Sequence, residues 1–224
     1  MRRTPIVYLL TLALGLSLAN TVFAAATEGF FVDLKGALAY TPKLKLSGPV
    51  PQNLTYDGEY VVGTQFGYKG GPMRYSVEFL YQDSSADRVT VSGSAIESDN
   101  GEFSAGGRTR VYSALINVFY DFDNHEYPVV PYIGGGFGYA NVDTGVDTVN
   151  YINTIEGNSD TFSYQGIVGV SYVFTENFTA AIEYRYFGTG RVTHNTVSSL
   201  FVTTDLKKRF QNHIVAFVLS YYAG

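Results

Sequence analysis

The chain has no cysteine and no tryptophan. Without cysteine it has neither a disulfide framework nor a thiolate metal site. After residue 24 no run of about 18 apolar residues occurs, which excludes a membrane-spanning helix there. Basic side chains are also few, since 15 Lys and Arg stand against 20 Asp and Glu and the formal net charge is −5. This balance argues against nucleic acid as a partner, because such binding depends on basic residues that neutralise phosphates.

The N-terminus has the layout of a secretory signal peptide. Arg2 and Arg3 precede an apolar run over residues 6–18, and Ala24 is a small residue suited to cleavage before Ala25. Cleavage after Ala26 is the alternative. We therefore predict a signal peptide over residues 1–24 and a single mature domain over residues 25–224.

The rest of the chain is rich in tyrosine, phenylalanine and glycine, which recur in short alternating runs. In residues 162–186, for example, Val168 and Val170 share one parity, and Glu183 and Arg185 share the other. A strand sends successive side chains to opposite faces, so this alternation predicts strands with one apolar face. We predict eight strands, over residues 29–40, 59–68, 73–82, 109–122, 129–141, 162–174, 178–186 and 210–222.

The connections between these strands are alternately long and short. The long ones cover residues 41–58, 83–108, 142–160 and 188–209, and the short ones cover residues 69–72, 123–128 and 175–177. Short connections indicate antiparallel neighbours. Long connections that all lie at one end are typical of outer-membrane barrels, which have short periplasmic turns and longer extracellular loops. We therefore predict an all-β, eight-stranded antiparallel up-and-down transmembrane β-barrel.

A soluble β-sandwich or lipocalin-like barrel is the alternative, because its strands alternate as well. In that fold Ile116, Val168 and Ile182 would converge on a common centre, while Arg74 and Glu183 would face water. Three features favour the membrane: the charged faces are rich in small residues, aromatic residues cluster at the ends of the apolar faces, and a signal peptide is predicted. The predicted lipid-facing aromatic girdle comprises Tyr40, Phe66, Tyr68, Tyr81, Tyr112, Tyr120, Phe122, Tyr139, Tyr172, Phe174, Tyr184 and Tyr186.

Four segments resemble the eight-stranded outer-membrane barrels of the opacity and major-surface-antigen type in Gram-negative bacteria. They are GFFVDLKGALAY (29–40), NVFYDF through PYIGGGFGYA (117–140), YQGIVGVSYVFTENFTAAIEYRYF (164–187) and NHIVAFVLSYY (212–222). The resemblance covers most of the predicted strands and none of the long connections. It implies an outer-membrane location and a surface role for the loops. The family pattern ends in an aromatic residue, whereas Ala223 and Gly224 follow Tyr222 here.

The parity opposite to the apolar face carries charges of both signs. Buried charges need partners, and an eight-stranded interior is about wide enough for side chains to fill. We therefore interpret these residues as ion pairs that fill a narrow lumen; an ion or proton path is the alternative. The lumen candidates are Asp33, Lys35, Arg74, Glu78, Asp121, Glu183 and Arg185.

No other motif indicates a cofactor or a metal ion. The glycines at 134–138 lack the helix and the lysine that a phosphate-binding loop requires, and are interpreted as structural. Asp121 and Asp123 flank a turn and are expected to serve turn chemistry rather than calcium binding. The three histidines, His125, His194 and His213, are too scattered for a metal site.

Three functional hypotheses follow. The first is a non-enzymatic surface antigen or adhesin whose loops contact a host or extracellular ligand, with outer-membrane lipid and lipopolysaccharide as its surroundings. The second is a narrow pore or small-solute conduit. The third is a lipid A-modifying barrel enzyme, for which His194 with Ser198 or Ser199, or His213, is the only match to a histidine-dependent mechanism.

Overall fold

The computed structural model describes residues 26–42, 44–46, 52–91, 101–123, 127–148, 153–198 and 203–224. Among them no helix is long and apolar enough to cross a membrane. The strands are β1 Gly29–Tyr40, β2 Leu44–Leu46, β3 Gln52–Gly70, β4 Met73–Val91, β5 Gly101–Asp121, β6 Val129–Thr148, β7 Asn153–Val173, β8 Phe178–Ser198 and β9 Thr203–Ala223.

Eight long strands form a closed antiparallel barrel, and the three-residue β2 pairs with the start of β3. From β2 to β9 each strand pairs with the next one along the chain, and β1 closes the ring by pairing with β3 and β9. Following paired residues once around the ring from Phe30 leads to Tyr40, a stagger of ten residues. Closure of a barrel requires such a stagger because the strands tilt relative to its axis. The predicted eight-stranded antiparallel barrel is confirmed.

The two faces of the strands point as the alternation predicted. Ile116, Val168 and Ile182 are 55%, 51% and 59% exposed on the outer surface. Arg74 and Glu183 are buried inside the barrel, at 6% and 2%. The soluble alternative requires the opposite arrangement and is therefore excluded.

The long connections are much shorter than predicted, because the strands continue far into them. β4 and β5 pair from Met73 and Tyr120 up to Val91 and Gly101, whereas the sequence predicts a long connection over residues 83–108 in which only residues 88–92 are candidates for a strand extension. The predicted loops over residues 142–160 and 188–209 are likewise largely strand, and β2 lies within the predicted loop over residues 41–58. Most of the extensions are polar on both faces, so the apolar alternation is weak there, yet backbone pairing does not depend on an apolar face.

Irregular pairing marks the places where the strands leave the regular barrel. The β3–β4 register shifts next to Gly58, which has a φ of 70°, and the β4–β5 register shifts between Ala86 and Arg88. The β8–β9 register shifts between Gly188 and Arg191. β-Bulges of this kind bend a strand and increase its local twist, and they separate the barrel from its extensions.

The sequence predicts an inner face of small and charged residues, but the interior of the barrel also contains many large apolar side chains. Three clusters of buried apolar side chains occur among the described residues: one around Leu80, Leu115 and Phe187, one around Phe119 and Ile167, and a small one of Ala26, Phe31 and Tyr222. Inward apolar side chains are stable here because the filled lumen keeps them away from water. The interior therefore consists of polar and apolar groups packed together.

Candidate functional site

The centre of the lumen is occupied by Glu78, whose side chain is fully buried. Its Oε1 accepts hydrogen bonds from Lys35 Nζ at 2.6 Å and from Arg185 Nη1 at 2.8 Å. Its Oε2 accepts from Gln165 Nε2 at 2.6 Å and from Asn117 Nδ2 at 3.0 Å. Both carboxylate oxygens are thus fully satisfied by donors from four other strands, as a buried charge requires.

Arg185 extends this network to a second carboxylate. Its Nε donates to Glu183 Oε2 at 2.6 Å, and Glu183 Oε1 accepts from the Tyr132 hydroxyl at 2.8 Å. Arg185 and Glu183 lie two residues apart on β8 and therefore share the inner face. Lys35 donates in addition to Gln65 Oε1 at 2.6 Å. The network spans β1, β3, β4, β5, β6, β7 and β8 and crosses the whole lumen.

A second group of charges lies nearer the short turns. Arg74 donates from Nε and Nη2 to Asp121 Oδ1, at 2.9 and 2.8 Å. The guanidinium carbon of Arg74 lies 4.8 Å from the centre of the Phe119 ring and 4.7 Å from that of Tyr132. Ring faces attract a cation at such distances. Lys69 adds longer contacts of 3.7 Å to Asp121 and 3.9 Å to Asp123.

All seven lumen candidates are buried, and all except Asp33 form ion pairs. Asp33 is 1% exposed, and its Oδ1 has no hydrogen-bond partner among the described residues. Arg74 and Glu78, although four residues apart on β4, belong to the two different groups. The choice of partner is decided by the stagger of the strands, which the sequence does not reveal.

Several members of the network were not among the candidates predicted from sequence. Gln65, Asn117, Gln165 and Tyr132 are uncharged, and only their inward parity distinguishes them. Lys69 was assigned to a turn, but it lies in β3, where it continues the inward parity of Gln65. Extending the predicted strand by one residue would have included it.

The outer surface carries the predicted aromatic residues. Ten of the twelve are exposed, and Tyr81 and Tyr186 are half-buried. Their rings contact one another across strands, as in Tyr81 and Tyr112 with centroids 5.1 Å apart, and along strands, as in Tyr172 and Phe174 at 4.9 Å. Such contacts give two aromatic rows, one near the short turns and one near the strand extensions.

The histidine positions differ from the prediction. His213 lies within β9 rather than at the start of the last strand, and its Nδ1 is 2.6 Å from the Tyr184 hydroxyl. His194 lies in β8 opposite Leu206, not in a loop. His125 and Ser199 lie outside the described residues, and Ser198 is the last residue of β8.

The acidic side chains of the long connections mostly belong to strand extensions. Glu102, Asp143 and Glu156 lie in β5, β6 and β7. Among the described residues, no three His, Asp or Glu side chains lie close enough together to hold a metal ion. The two features that could carry a function are therefore the hydrogen-bonded and ion-paired interior and the strand extensions beyond the barrel.

Comparison with known proteins agrees with this architecture. The family model described as "Outer membrane protein beta-barrel domain" matches residues 9–221. A protein of Gluconacetobacter diazotrophicus named "Outer membrane protein" is 29% identical over 137 residues, which are 57% of this chain and 33% of that protein. The match thus spans about a third of the length of this relative.

Solved structures share the fold at low sequence identity. The outer membrane protein OprG from Pseudomonas aeruginosa superposes with a TM-score of 0.58 at 13% identity, over 91% of this chain and 100% of OprG. The outer membrane protease OmpT from Escherichia coli gives 0.53 at 10% identity, over 90% of this chain and 100% of OmpT. Neisserial surface protein A gives 0.50 at 18% identity, over 87% of this chain and 97% of that protein.

The closed antiparallel ring, its outward apolar face and the family match over nearly the whole chain lead to one conclusion. Barrels of this kind lie in the bacterial outer membrane, in contact with lipid and lipopolysaccharide. The chain belongs to the outer membrane protein β-barrel domain family.

Proposed function

We propose that the protein is a non-enzymatic surface protein of the antigen or adhesin type, which presents its outer strand extensions and loops to a host or extracellular ligand. The observation that carries this proposal is the paired extension of the strands beyond the regular barrel. β4 and β5 stay paired as far as Val91 and Gly101, and β8 and β9 as far as Val197 and Thr203. Strand pairing of this length holds the outer loops on a rigid support, where binding residues are commonly found.

The test of this role is removal of the outer extensions of three hairpins. Deleting residues 88–104, 146–155 and 192–208 and closing each hairpin with a two-residue turn is expected to abolish binding of expressing cells to immobilised matrix protein and to cultured host cells. Heat-modifiable gel mobility must show that the shortened barrel still folds. Shortening one hairpin at a time identifies the binding hairpin. Unchanged binding by the folded triple deletion would refute surface binding through these three hairpins.

The filled lumen supports this role over that of a pore. Large side chains that are each 2% exposed or less project into the lumen from three strands: Arg185, Phe119, Phe187, Leu115 and Ile214. We expect the folded protein to be electrically silent in planar lipid bilayers at physiological salt, because moving ions would have to displace these side chains. Discrete conductance steps from folded protein, absent from heat-denatured samples, would contradict this.

The surroundings of His213 support a non-enzymatic role. Its hydrogen-bond partner is the Tyr184 hydroxyl rather than a serine or a carboxylate. The His213 ring also stacks on Tyr184, with ring centroids 6.0 Å apart. A catalytic histidine needs a nucleophile or substrate atom within hydrogen-bond reach, whereas His213 is part of the outer aromatic row.

We further propose that the two aromatic rows mark the membrane interfaces and that the apolar surface between them faces lipid. Val168 lies between the rows and is 51% exposed. Val168→Arg is expected to lower the free energy of unfolding in phospholipid vesicles by about 2–4 kcal/mol, the cost of an arginine at the bilayer midplane. The matched control is Tyr127→Arg, on an exposed short connection, with an expected loss of about 0–1 kcal/mol. Equal effects at both positions would mean that Val168 does not face hydrocarbon.

A further inference from the structure

A buried carboxylate without a cationic side-chain partner lies at the outer end of the lumen. Glu59, on β3, is 7% exposed, and among the described residues it forms no ion pair with a lysine, arginine or histidine. Glu78 and Glu183, by contrast, each contact an arginine. A charge taken out of water is stable only if other groups compensate for it. At Glu59 this compensation must come from neutral groups or from a bound cation.

The neutral groups around Glu59 present mainly oxygen atoms to it. Thr41 N donates to Glu59 Oε1 at 2.8 Å, and the Thr41 hydroxyl lies 2.5 Å from Glu59 Oε2. Ser84 Oγ lies 3.2 Å from the same carboxylate oxygen, and Gln82 Nε2 is a more distant donor at 3.4 Å. Thr41 Oγ1 also lies 2.9 Å from Asn212 Oδ1 on β9. Buried side chains from three strands and from the residue after β1 thus meet around one carboxylate.

The protons available do not satisfy all of these polar atoms. The Thr41 hydroxyl has one proton but lies within hydrogen-bond distance of two acceptors, Glu59 Oε2 and Asn212 Oδ1. Asn212 is 0% exposed, and its Nδ2 has no hydrogen-bond partner among the described residues. Turning the amide by half a turn lets Nδ2 donate to Thr41, but it moves Oδ1 to the position that has no partner. In either orientation one end of this buried amide is unsatisfied.

These residues lie where the pairing between β1 and β9 stops. The outermost paired residues are Tyr40 and His213, and Thr41 and Asn212 follow them directly on the outer side. Beyond this point β9 is paired with β8, whereas β2 is paired with β3 and, in the described part of the chain, not with β9. The contacts from Glu59 through Thr41 to Asn212 therefore join β3 to β9 where the backbone no longer does.

We propose that Glu59, Thr41 and Asn212 form a binding site for Ca²⁺, with the Ser84 hydroxyl as a further ligand, and that the ion joins β3 to β9 at the outer end of the lumen. Ca²⁺ takes about six to eight oxygen ligands in flexible geometry, including amide oxygens and water beside carboxylates. One carboxylate among neutral oxygens therefore makes a weak site, so a trio of acidic side chains is not required. The site does not depend on the proposed surface-binding role.

The spacing of the oxygen atoms agrees with this assignment. Oxygens bound to one Ca²⁺ ion at about 2.4 Å, at angles of roughly 65–85°, lie about 2.6–3.2 Å apart. Thr41 Oγ1 lies 2.5 Å from Glu59 Oε2 and 2.9 Å from Asn212 Oδ1, and Ser84 Oγ lies 3.2 Å from Glu59 Oε2. The contact that lacks a proton becomes an ordinary separation between neighbouring ligands once the ion is bound.

The test is a titration of the purified, metal-free full chain in detergent with calcium chloride, followed by isothermal titration calorimetry. We expect one Ca²⁺ per chain with a dissociation constant on the order of 10⁻⁴–10⁻³ M, as in extracellular calcium sites. Mg²⁺ should bind more weakly, because it demands octahedral geometry at shorter distances. Glu59→Gln should weaken Ca²⁺ binding by roughly tenfold or more. The matched control, Glu176→Gln, alters an exposed residue between β7 and β8 and should bind like the unaltered chain.

Asn212→Asp separates the proposal from a loss of folding. This change keeps the size of the side chain and adds a second negative ligand, so it should tighten Ca²⁺ binding by roughly tenfold. Without calcium it should lower the unfolding temperature, because two carboxylates then lie close together, and added calcium should reverse this loss. Heat-modifiable gel mobility shows that each variant is folded. The proposal is overturned if the unaltered chain binds no Ca²⁺ up to about 10 mM, if the two glutamine variants bind it equally, or if Asn212→Asp does not bind it more tightly.

Discussion

Glu78→Gln is expected to destabilise the folded barrel by about 3–5 kcal/mol, the cost of leaving buried charges without their partner. Glu78 faces Lys35 and Arg185 at 2.6 and 2.8 Å, and all three side chains are almost fully buried. The substitution removes the negative charge that both cations share. It also directs an amide NH₂ at donors from Asn117 or Gln165, which turns a hydrogen bond into a repulsive contact.

Urea unfolding in phospholipid vesicles, followed by tyrosine fluorescence and gel mobility, measures this loss. Glu176→Gln is the matched control, because Glu176 is exposed in the short connection between β7 and β8, and we expect an effect within about 0.5 kcal/mol there. Adding Lys35→Met to Glu78→Gln should recover part of the stability, because it removes one of the two buried cations that lose their carboxylate partner. If Glu78→Gln unfolds at the same urea concentration as Glu176→Gln, the central network does not stabilise the barrel.

The inward direction of these charges could be predicted from sequence, but their pairing could not. Alternation assigns Lys35, Glu78 and Arg185 to the inner face because it depends only on parity within one strand. Pairing depends on how far each strand is shifted against its neighbours and on the ten-residue stagger around the ring. It therefore joins Glu78 to Arg185 on a distant strand rather than to Arg74, four residues away on its own.

The strand bodies and the strand extensions also differ in how far sequence reveals them. Inside the membrane-facing region one face must be apolar, and β1 was predicted with its observed bounds, Gly29–Tyr40. In the extensions, neither face has to be apolar, and pairs such as Asp143 with Asn158 and Asp147 with Thr154 are held by the backbone. No periodicity distinguishes such strands from loops. The sequence therefore predicts long connections where the structure has strand extensions.

Gly138→Val is expected to prevent folding, because the inner surface of β6 has no room for a side chain there. A Cβ atom at Gly138 would collide with the main-chain oxygen of Ala114 and the Cα of Leu115 on β5. Backbone atoms in a paired strand cannot move aside without breaking the pairing. At Gly134 and Gly136 the space is taken instead by the Phe119 ring and the Asn117 amide. The glycines at 134, 136 and 138 thus leave the space that atoms of β5 fill. This agrees with the interpretation of the glycine-rich segment as structural.

Refolding into detergent micelles, scored by heat-modifiable gel mobility, tests this prediction. Gly138→Val should yield almost no folded band, equivalent to a loss of at least about 4 kcal/mol. Gly166→Val is the control with the same chemical change, since Gly166 lies on the neighbouring strand β7, faces outward and has open space at its Cβ. Because valine favours strands, Gly166→Val should fold at least as well as the unaltered protein. Equal folded yields from the two valine variants would mean that β5 and β6 do not pack as closely as their paired residues indicate.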